Sequence, residues 1–259
     1  MIAMPEFTKY RPGTACWVDL ASADVQRSVE FYGQLFGWTA EFKDRPEAGG
    51  YGMFRRAGKA VAGIARTLAD SQPTTWNTYF ASEDAAKTAQ SVREAGGTVV
   101  VEPMEIMDEG TMAVCKDPTG AFVSVWQSDR HPGAQVAGEP GTLNWVELAT
   151  RDVDAAKIFY NQVFAWTAET RQMDTMTYTM FMMAGETVAG MMPMGERFPA
   201  GVPAHWLVYF GATDLDATVA AAGGLGARQL YGPKDIPGMG RFAVFADPQG
   251  AAFAVWEQS

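Results

Sequence analysis

The chain has 259 residues, a formal net charge of −10 and two cysteines. This length fits two domains of ordinary size, each able to fold on its own hydrophobic core without a disulfide or a metal. The acidic charge and the lack of a Lys/Arg run argue against nucleic acid and membrane surfaces as partners. With no apolar stretch near the ~18 residues of a membrane span, we expect a cytoplasmic protein.

The first half of the chain predicts two βαβββ units in succession. After a loosely held arm, ACWVDLA is typical of a strand, and a helix follows that Ser22 or Asp24 can cap. Three short strands come next. The order then repeats from Trp76, with a strand, a helix that ends at Gly96, and three strands, the last two joined by a tight DPTG turn.

The second half of the chain repeats the first. GTACWVDLASADVQRSVEFYGQLFGWTAEF, from Gly13, returns as GTLNWVELATRDVDAAKIFYNQVFAWTAET, from Gly141, with 16 of 30 positions identical. The repeat predicts an arm over residues 1–12, a first domain over 13–127, a linker over 128–140 and a second domain over 141–259. Two equivalent pockets are therefore expected.

Two recurring motifs resemble those of a known superfamily. DVQRSVEFY, from Asp24, is followed by DPTG at Asp117, and DVDAAKIFY, from Asp152, is followed by DPQG at Asp247. These pairs are similar to those of the vicinal oxygen chelate superfamily, which includes glyoxalase I, bleomycin resistance proteins and extradiol dioxygenases. The two-domain glyoxalase/bleomycin-resistance-like proteins resemble the chain most. The resemblance implies an α+β fold of four βαβββ units, forming tandem domains whose curved mixed sheets each enclose a cavity.

Enzymes of this superfamily hold a divalent metal in that cavity, on ligands from the first, fourth, fifth and eighth strands. A cation needs three or four N or O donors to replace its water. The matching positions here are Trp17, Gly63, Asn77 and Ser124 in the first copy, and Trp145, Gly190, Leu207 and Ala254 in the second. An indole has no lone pair for a metal and glycine has no side chain, so we expect no metal cofactor.

The alternation of side chains along a strand predicts what lines each cavity instead, because residues two positions apart share a face. The predicted pocket residues are Trp17, Asp19, Asn77, Tyr79, Phe122, Ser124 and Trp126 in the first copy, and Trp145, Glu147, His205, Leu207, Tyr209, Ala254 and Trp256 in the second. Aromatic walls around one carboxylate suit a small, mostly flat organic ligand, and also a cationic one. The alternative is that the tryptophans simply fill a redundant cavity.

Two histidines complete the candidates. His205 is the one histidine inside a predicted domain, and with Glu147 on an adjacent strand it could form an acid–base pair. A structural role on its strand is the alternative. His131 lies in the predicted linker, where we expect it at the surface.

Three functions are compatible with these features. The leading hypothesis is metal-free binding of a small aromatic or apolar metabolite or toxin, the bleomycin-resistance mode that the resemblance implies, by a monomer or homodimer. The rival is an enzyme, either a glyoxalase-like lyase or a metal-independent isomerase or hydrolase that uses Glu147 and His205. The third is a scaffold whose pockets are filled by their own tryptophans.

Overall fold

The computed structural model describes residues 6–43, 46–173, 176–196 and 198–259. Within them the chain forms sixteen strands and four α-helices. In chain order these are β1 (Ala15–Ser22), α1 (Val25–Phe36), β2 (Thr39–Phe42), β3 (Gly52–Arg56), β4 (Lys59–Arg66), β5 (Thr75–Ala81), α2 (Ala85–Glu94), β6 (Thr98–Ile106), β7 (Gly110–Lys116), β8 (Phe122–Ser128), β9 (Leu143–Thr150), α3 (Val153–Phe164), β10 (Thr167–Met173), β11 (Met176–Met183), β12 (Glu186–Pro193), β13 (His205–Ala212), α4 (Leu215–Gly224), β14 (Arg228–Ile236), β15 (Gly240–Ala246) and β16 (Ala252–Gln258).

The strands form two mixed sheets of eight, one from each half of the chain. The first sheet has the order β2-β3-β4-β1-β5-β8-β7-β6, and the second has the equivalent order β10-β11-β12-β9-β13-β16-β15-β14. In the first sheet β1 runs parallel to β4 and antiparallel to β5, which in turn runs parallel to β8. The predicted α+β fold of tandem βαβββ units is confirmed.

The helices begin and end where the sequence signals are strongest. The Asp24 side chain accepts a hydrogen bond from the Arg27 backbone N–H at 3.1 Å and so caps α1. Past the end of α2, Gly96 adopts a φ of 83°, and the Gly97 N–H bonds back to the Val92 carbonyl at 2.8 Å. No helix in the described ranges is long and apolar enough to cross a membrane.

One continuous hydrophobic core joins the two halves. Phe80 of the first sheet lies 5.3 Å, centroid to centroid, from Trp166 of the second half. In the same way, Phe210 of the second sheet lies 5.3 Å from Trp38 of the first half. Aromatic pairs at this separation stabilise an interface beyond the area that they bury. Each sheet therefore uses one face for this shared core, and its opposite face, here called the concave face, is left to form a site.

The two recurring motifs meet across the halves and not within them. The Tyr32 hydroxyl on α1 donates to Asp247 in the DPQG turn at 3.0 Å, and the Tyr160 hydroxyl on α3 donates to Asp117 in the DPTG turn at 2.9 Å. Both tyrosines are fully buried, and both bonds are charge-assisted. Each half therefore completes the turn of the other.

The arm and the linker lie together across one end of the first sheet. The Tyr10 hydroxyl donates to the Ala134 carbonyl at 2.6 Å, and the Ala134 N–H donates to the Cys16 carbonyl at 2.8 Å. The Phe7 N–H bonds to the Gln135 carbonyl at 2.9 Å. The sequence predicts a loosely held arm, whereas its residues 6–12 pack against the linker; residues 1–5 lie outside the described residues.

Candidate functional site

A buried carboxylate lies at the centre of the first concave face. Asp19, on β1, accepts three side-chain hydrogen bonds, from Asn77 Nδ2 at 2.8 Å, from the Tyr79 hydroxyl at 2.8 Å and from the Tyr51 hydroxyl at 3.2 Å. Burial raises the pKa of Asp19 above its ordinary value, while the three donors act in the opposite direction. The carboxylate is thus held by the chain's own donors.

Tyr51 occupies the position that a fourth-strand metal ligand would need. A Cβ built on Gly63 would lie 1.9 Å from the Tyr51 hydroxyl oxygen, so only glycine leaves room for this phenol. Trp17 Nε1 donates to the same oxygen at 2.9 Å. The Trp17 indole, the Tyr51 hydroxyl and the Asp19 carboxylate therefore form one hydrogen-bonded network, and Gly63 leaves room for it.

The second concave face repeats this arrangement. Glu147, on β9, accepts hydrogen bonds from the Tyr209 hydroxyl at 2.9 Å and from Tyr178. Trp145 Nε1 donates to the Tyr178 oxygen at 3.2 Å, and a Cβ on Gly190 would lie 1.9 Å from that oxygen. Burial raises the pKa of Glu147 above its ordinary value, and the two tyrosine hydrogen bonds oppose this rise.

Sequence reasoning missed Tyr51 and Tyr178. Tyr51 precedes β3, where no alternation of apolar and polar residues marks a face. The usable signal is the pattern Tyr-x-Met-Phe, which occurs at Tyr51 and again at Tyr178. A tyrosine at the same place in both copies, facing a strand that carries glycine in both, indicates a paired role.

The two carboxylates differ in their third donor. Register places Asn77 opposite Asp19 in the first sheet and Leu207 opposite Glu147 in the second. Leucine has no polar atom, so the described side-chain donors to Glu147 are two tyrosines, where Asp19 has two tyrosines and an amide. A carboxylate can accept about four hydrogen bonds.

The linker closes the first concave face. The His131 ring packs edge-on against Trp17, with centroids 4.5 Å apart, and the His131 carbonyl accepts a hydrogen bond from Trp126 Nε1 at 2.8 Å. Trp17 and Trp126 are only 3% and 7% exposed. His131, which we expected at the surface, is half-buried because the linker folds back over the sheet. Burial lowers the pKa of His131 to about 4, so the ring is neutral at pH 7.

The second concave face is more open and more aromatic. Trp145 and Trp256, which match the two covered tryptophans of the first sheet, are both partly exposed. Phe242 lies 6.0 Å from Tyr209 and 5.7 Å from Tyr231, which is 40% exposed. In the first sheet the positions that match Phe242 and Tyr231 are Met112 and Val101, neither of which is aromatic. A row of aromatic rings thus runs from the buried Glu147 towards solvent.

The remaining predicted site residues lie apart from these networks. His205 is opposite Ala149, its Nδ1 lies 2.9 Å from the Pro203 carbonyl oxygen, and its ring neighbours Phe198. No hydrogen bond joins Glu147 and His205 in the described residues, so the predicted acid–base pair is not seen there. Phe122 lies at the far end of β8 and is 52% exposed.

The residues at the superfamily's ligand positions do not fit a divalent metal. Ser124 lies beside Tyr79 in the register, and Ala254 lies beside Tyr209. In both sheets the space in front of the glycine is filled by a phenol. Among the described residues, no group of three or more His, Cys, Asp or Glu side chains could hold a metal ion. We therefore assign no step of any reaction to a metal here.

Comparison with known proteins identifies the family. The model of the Glyoxalase/Bleomycin resistance protein/Dioxygenase superfamily matches residues 15–125 and again residues 142–255. The chain belongs to this superfamily. The two matches fall on the two sheets, so both halves of this superfamily member are versions of one domain.

This superfamily member is similar to named relatives, and to proteins of known structure, over nearly its whole length. "Putative glyoxylase CFP32" of Mycobacterium tuberculosis is 41% identical, covering 97% of both chains, and the "Anthracycline biosynthesis protein DnrV" of Streptomyces peucetius is 38% identical, covering 96% of this chain and 95% of that relative. The Mn(II)-bound glyoxalase of Novosphingobium aromaticivorans has a TM-score of 0.66 at 18% identity, over 95% of this chain and 82% of that one. At that identity the likeness shows the fold alone.

Proposed function

We propose that this superfamily member binds a small, flat aromatic molecule on the concave face of its second sheet, without a metal ion. The observation that carries the proposal is the contrast between the matched tryptophans. Trp17 and Trp126 are covered by the chain itself, whereas Trp145 and Trp256 present indole surface to solvent beside a buried carboxylate. Exposed aromatic walls with a few fixed polar groups are typical of ligand sites.

Apolar contact with the aromatic row is the main source of affinity that we expect. Burying ~300 Å² of apolar surface at ~25 cal/mol per Å² would contribute about 7.5 kcal/mol, from which the cost of association is subtracted. The name of the relative DnrV places that protein in anthracycline biosynthesis. Because anthracyclines contain a flat fused-ring system, this relationship supports an aromatic ligand.

A glyoxalase-like lyase is the rival function. The name of the relative CFP32 favours it, whereas the donor set of both concave faces opposes it, because a lyase of this superfamily needs a metal. Elemental analysis of the purified protein separates the two. A divalent ion in stoichiometric amount, whose removal by a chelator abolishes turnover, would favour the lyase, and loss of ligand binding on the same treatment would end the metal-free proposal.

Equilibrium dialysis with 2-naphthol, in the presence of a chelator, tests the proposal directly. We expect saturable binding with one site per chain. Trp256→Leu should weaken this binding about tenfold or more, because a wall of the site is lost. Trp126→Leu makes the same change in the covered sheet and should leave the affinity unchanged. No saturable binding, or equal losses in the two variants, would contradict the proposal.

A further inference from the structure

One residue of the linker contacts both tryptophans of the first concave face. The His131 ring lies edge-on to Trp17, with centroids 4.5 Å apart, and its centroid is 5.7 Å from that of Trp126. The carbonyl of the same residue accepts the Trp126 indole N–H at 2.8 Å. The matching indoles of the second sheet, Trp145 and Trp256, are partly exposed. His131 is therefore the side chain that covers, in the first sheet, the surface that the second sheet presents to solvent.

Packing, and not hydrogen bonding, holds the His131 ring in this position. Its Nε2 atom is buried and has no hydrogen-bond partner among the described residues, although the residue as a whole is half-buried. A buried polar atom without a partner costs free energy that water returns once the atom is exposed. The nitrogen therefore favours release of the ring from the indoles.

The segment that carries His131, residues 129–133, lies between two fixed ends and is here called the strap. It begins directly after β8. Beyond the strap, the Ala134 N–H donates to the Cys16 carbonyl at 2.8 Å and the Gln135 N–H donates to the Ala60 carbonyl at 2.8 Å. These bonds hold the rest of the linker on the first sheet, whatever the strap itself does.

Few bonds hold the strap between those ends. The Asp129 and His131 N–H groups share one acceptor, the Glu109 carbonyl, at 3.1 Å each. Arg130 forms an ion pair with Asp108 at 2.5 Å, but both side chains are exposed, and such pairs contribute little stability. The strap can therefore leave the indoles by breaking a small number of local bonds, while the sheet and the linker stay in place.

We propose that the strap is self-inhibitory: His131 lies on the first concave face in the place of a ligand's ring, and its removal opens a second site against Trp17 and Trp126. The inference rests on the proposed function, because the ligand class is the same, a small flat aromatic molecule. A ligand of the first sheet must displace the ring. Its apparent affinity for the intact chain is therefore reduced to the fraction of chains with the strap open.

Equilibrium dialysis with 2-naphthol, in the presence of a chelator, counts the sites. We expect one site per chain in wild-type protein and in His131→Phe, which keeps a ring against Trp17, and two in His131→Gly. Adding Trp126→Leu to His131→Gly should weaken the new site about tenfold or more, because a wall of that site is lost. A single site in His131→Gly would overturn the inference and leave the proposed function standing.

The same experiment separates the inference from the proposed function. No binding by wild-type protein and one site in His131→Gly would support the strap and contradict the proposed site in the second sheet. No binding by either protein would overturn both. His131→Ala repeats the count with less backbone freedom than glycine, in case the glycine variant does not fold.

Hydrogen exchange followed by NMR tests the release of the strap without a ligand. The Trp126 indole N–H, which is bonded to the His131 carbonyl, should exchange about fivefold or more faster in wild-type protein than in His131→Phe, which has no unpartnered nitrogen. The Trp38 indole N–H, which donates to the Gly141 carbonyl at 2.8 Å, is the control and should exchange equally in both. Equal rates for Trp126 would overturn the release of the strap through this residue.

Discussion

The two concave faces have the same Trp–Tyr–carboxylate–Tyr network and differ in what surrounds it. In the first sheet Asp19 has a third donor, Asn77, and the linker covers Trp17 with His131. In the second sheet Leu207 offers no donor and the aromatic walls reach solvent. The comparison teaches that a few side chains and the path of one linker separate a covered concave face from a more open one on the same backbone.

The largest effect that tests this comparison is on stability. Asp19→Leu leaves the buried Tyr79 hydroxyl and the half-buried donors Tyr51 and Asn77 without their acceptor, and we expect it to lower the free energy of unfolding by about 4 kcal/mol. Glu147 is equally buried, but Glu147→Leu leaves only two tyrosine hydroxyls without their acceptor, so we expect a smaller loss of about 2–3 kcal/mol. Urea denaturation measures both. Equal losses would mean that the third donor, Asn77, contributes nothing to stability.

The next effect concerns the cover of the first sheet. His131 has a pKa of about 4 in the folded protein and an ordinary value of 6.5, so the unfolded chain takes up the proton first as pH falls. Stability should therefore decline between about pH 6.5 and pH 4, by up to about 3 kcal/mol from this one group. Above pH 6.5 the contribution of this histidine is constant.

His131→Phe isolates that contribution, because phenylalanine keeps a ring against Trp17 and cannot titrate. We expect the difference in unfolding free energy between wild type and His131→Phe to change across this pH window and to be flat above it. Thermal or urea unfolding at half-unit pH steps measures the difference. A difference that does not vary with pH would show that the ring is not buried as the structure has it.

The smallest effects should be the same in both halves, which sharpens the contrast with the concave faces. Tyr32→Phe and Tyr160→Phe each remove a buried hydrogen bond to an aspartate in the opposite half, together with the bond that the hydroxyl accepts from Trp76 or Trp206 respectively. We expect each to cost about 2 kcal/mol, and the two costs to agree within about 0.5 kcal/mol. Unequal costs would show that the differences between the copies extend into the shared core.

The fold could be predicted from the sequence because its signals are local and occur twice. Asp24 and Gly96 mark helix ends through backbone geometry alone, and strand alternation is enough to place Asp19 beside Tyr79. Each such signal depends on residues close together in the chain. The repeated motifs then confirm one another.

The missed features depend on where distant segments meet. Tyr51 reaches the site only because β3 pairs with β4 at a glycine, which is a matter of register. His131 is half-buried against Trp17 because the linker turns back over its own sheet, and no composition rule specifies that path. His205 lies two register positions from Glu147 along the same pair of strands, since Leu207 is the residue directly opposite the carboxylate.

The exchange of tyrosine–aspartate bonds between the halves has a consequence for how the molecule comes apart. Because the turn of each half is completed by a helix of the other, neither sheet can lose its structure without stripping partners from its neighbour. Heating should therefore melt both halves in a single cooperative transition, despite their origin as two copies of one domain. Two well-separated calorimetric peaks would show that the halves are energetically independent.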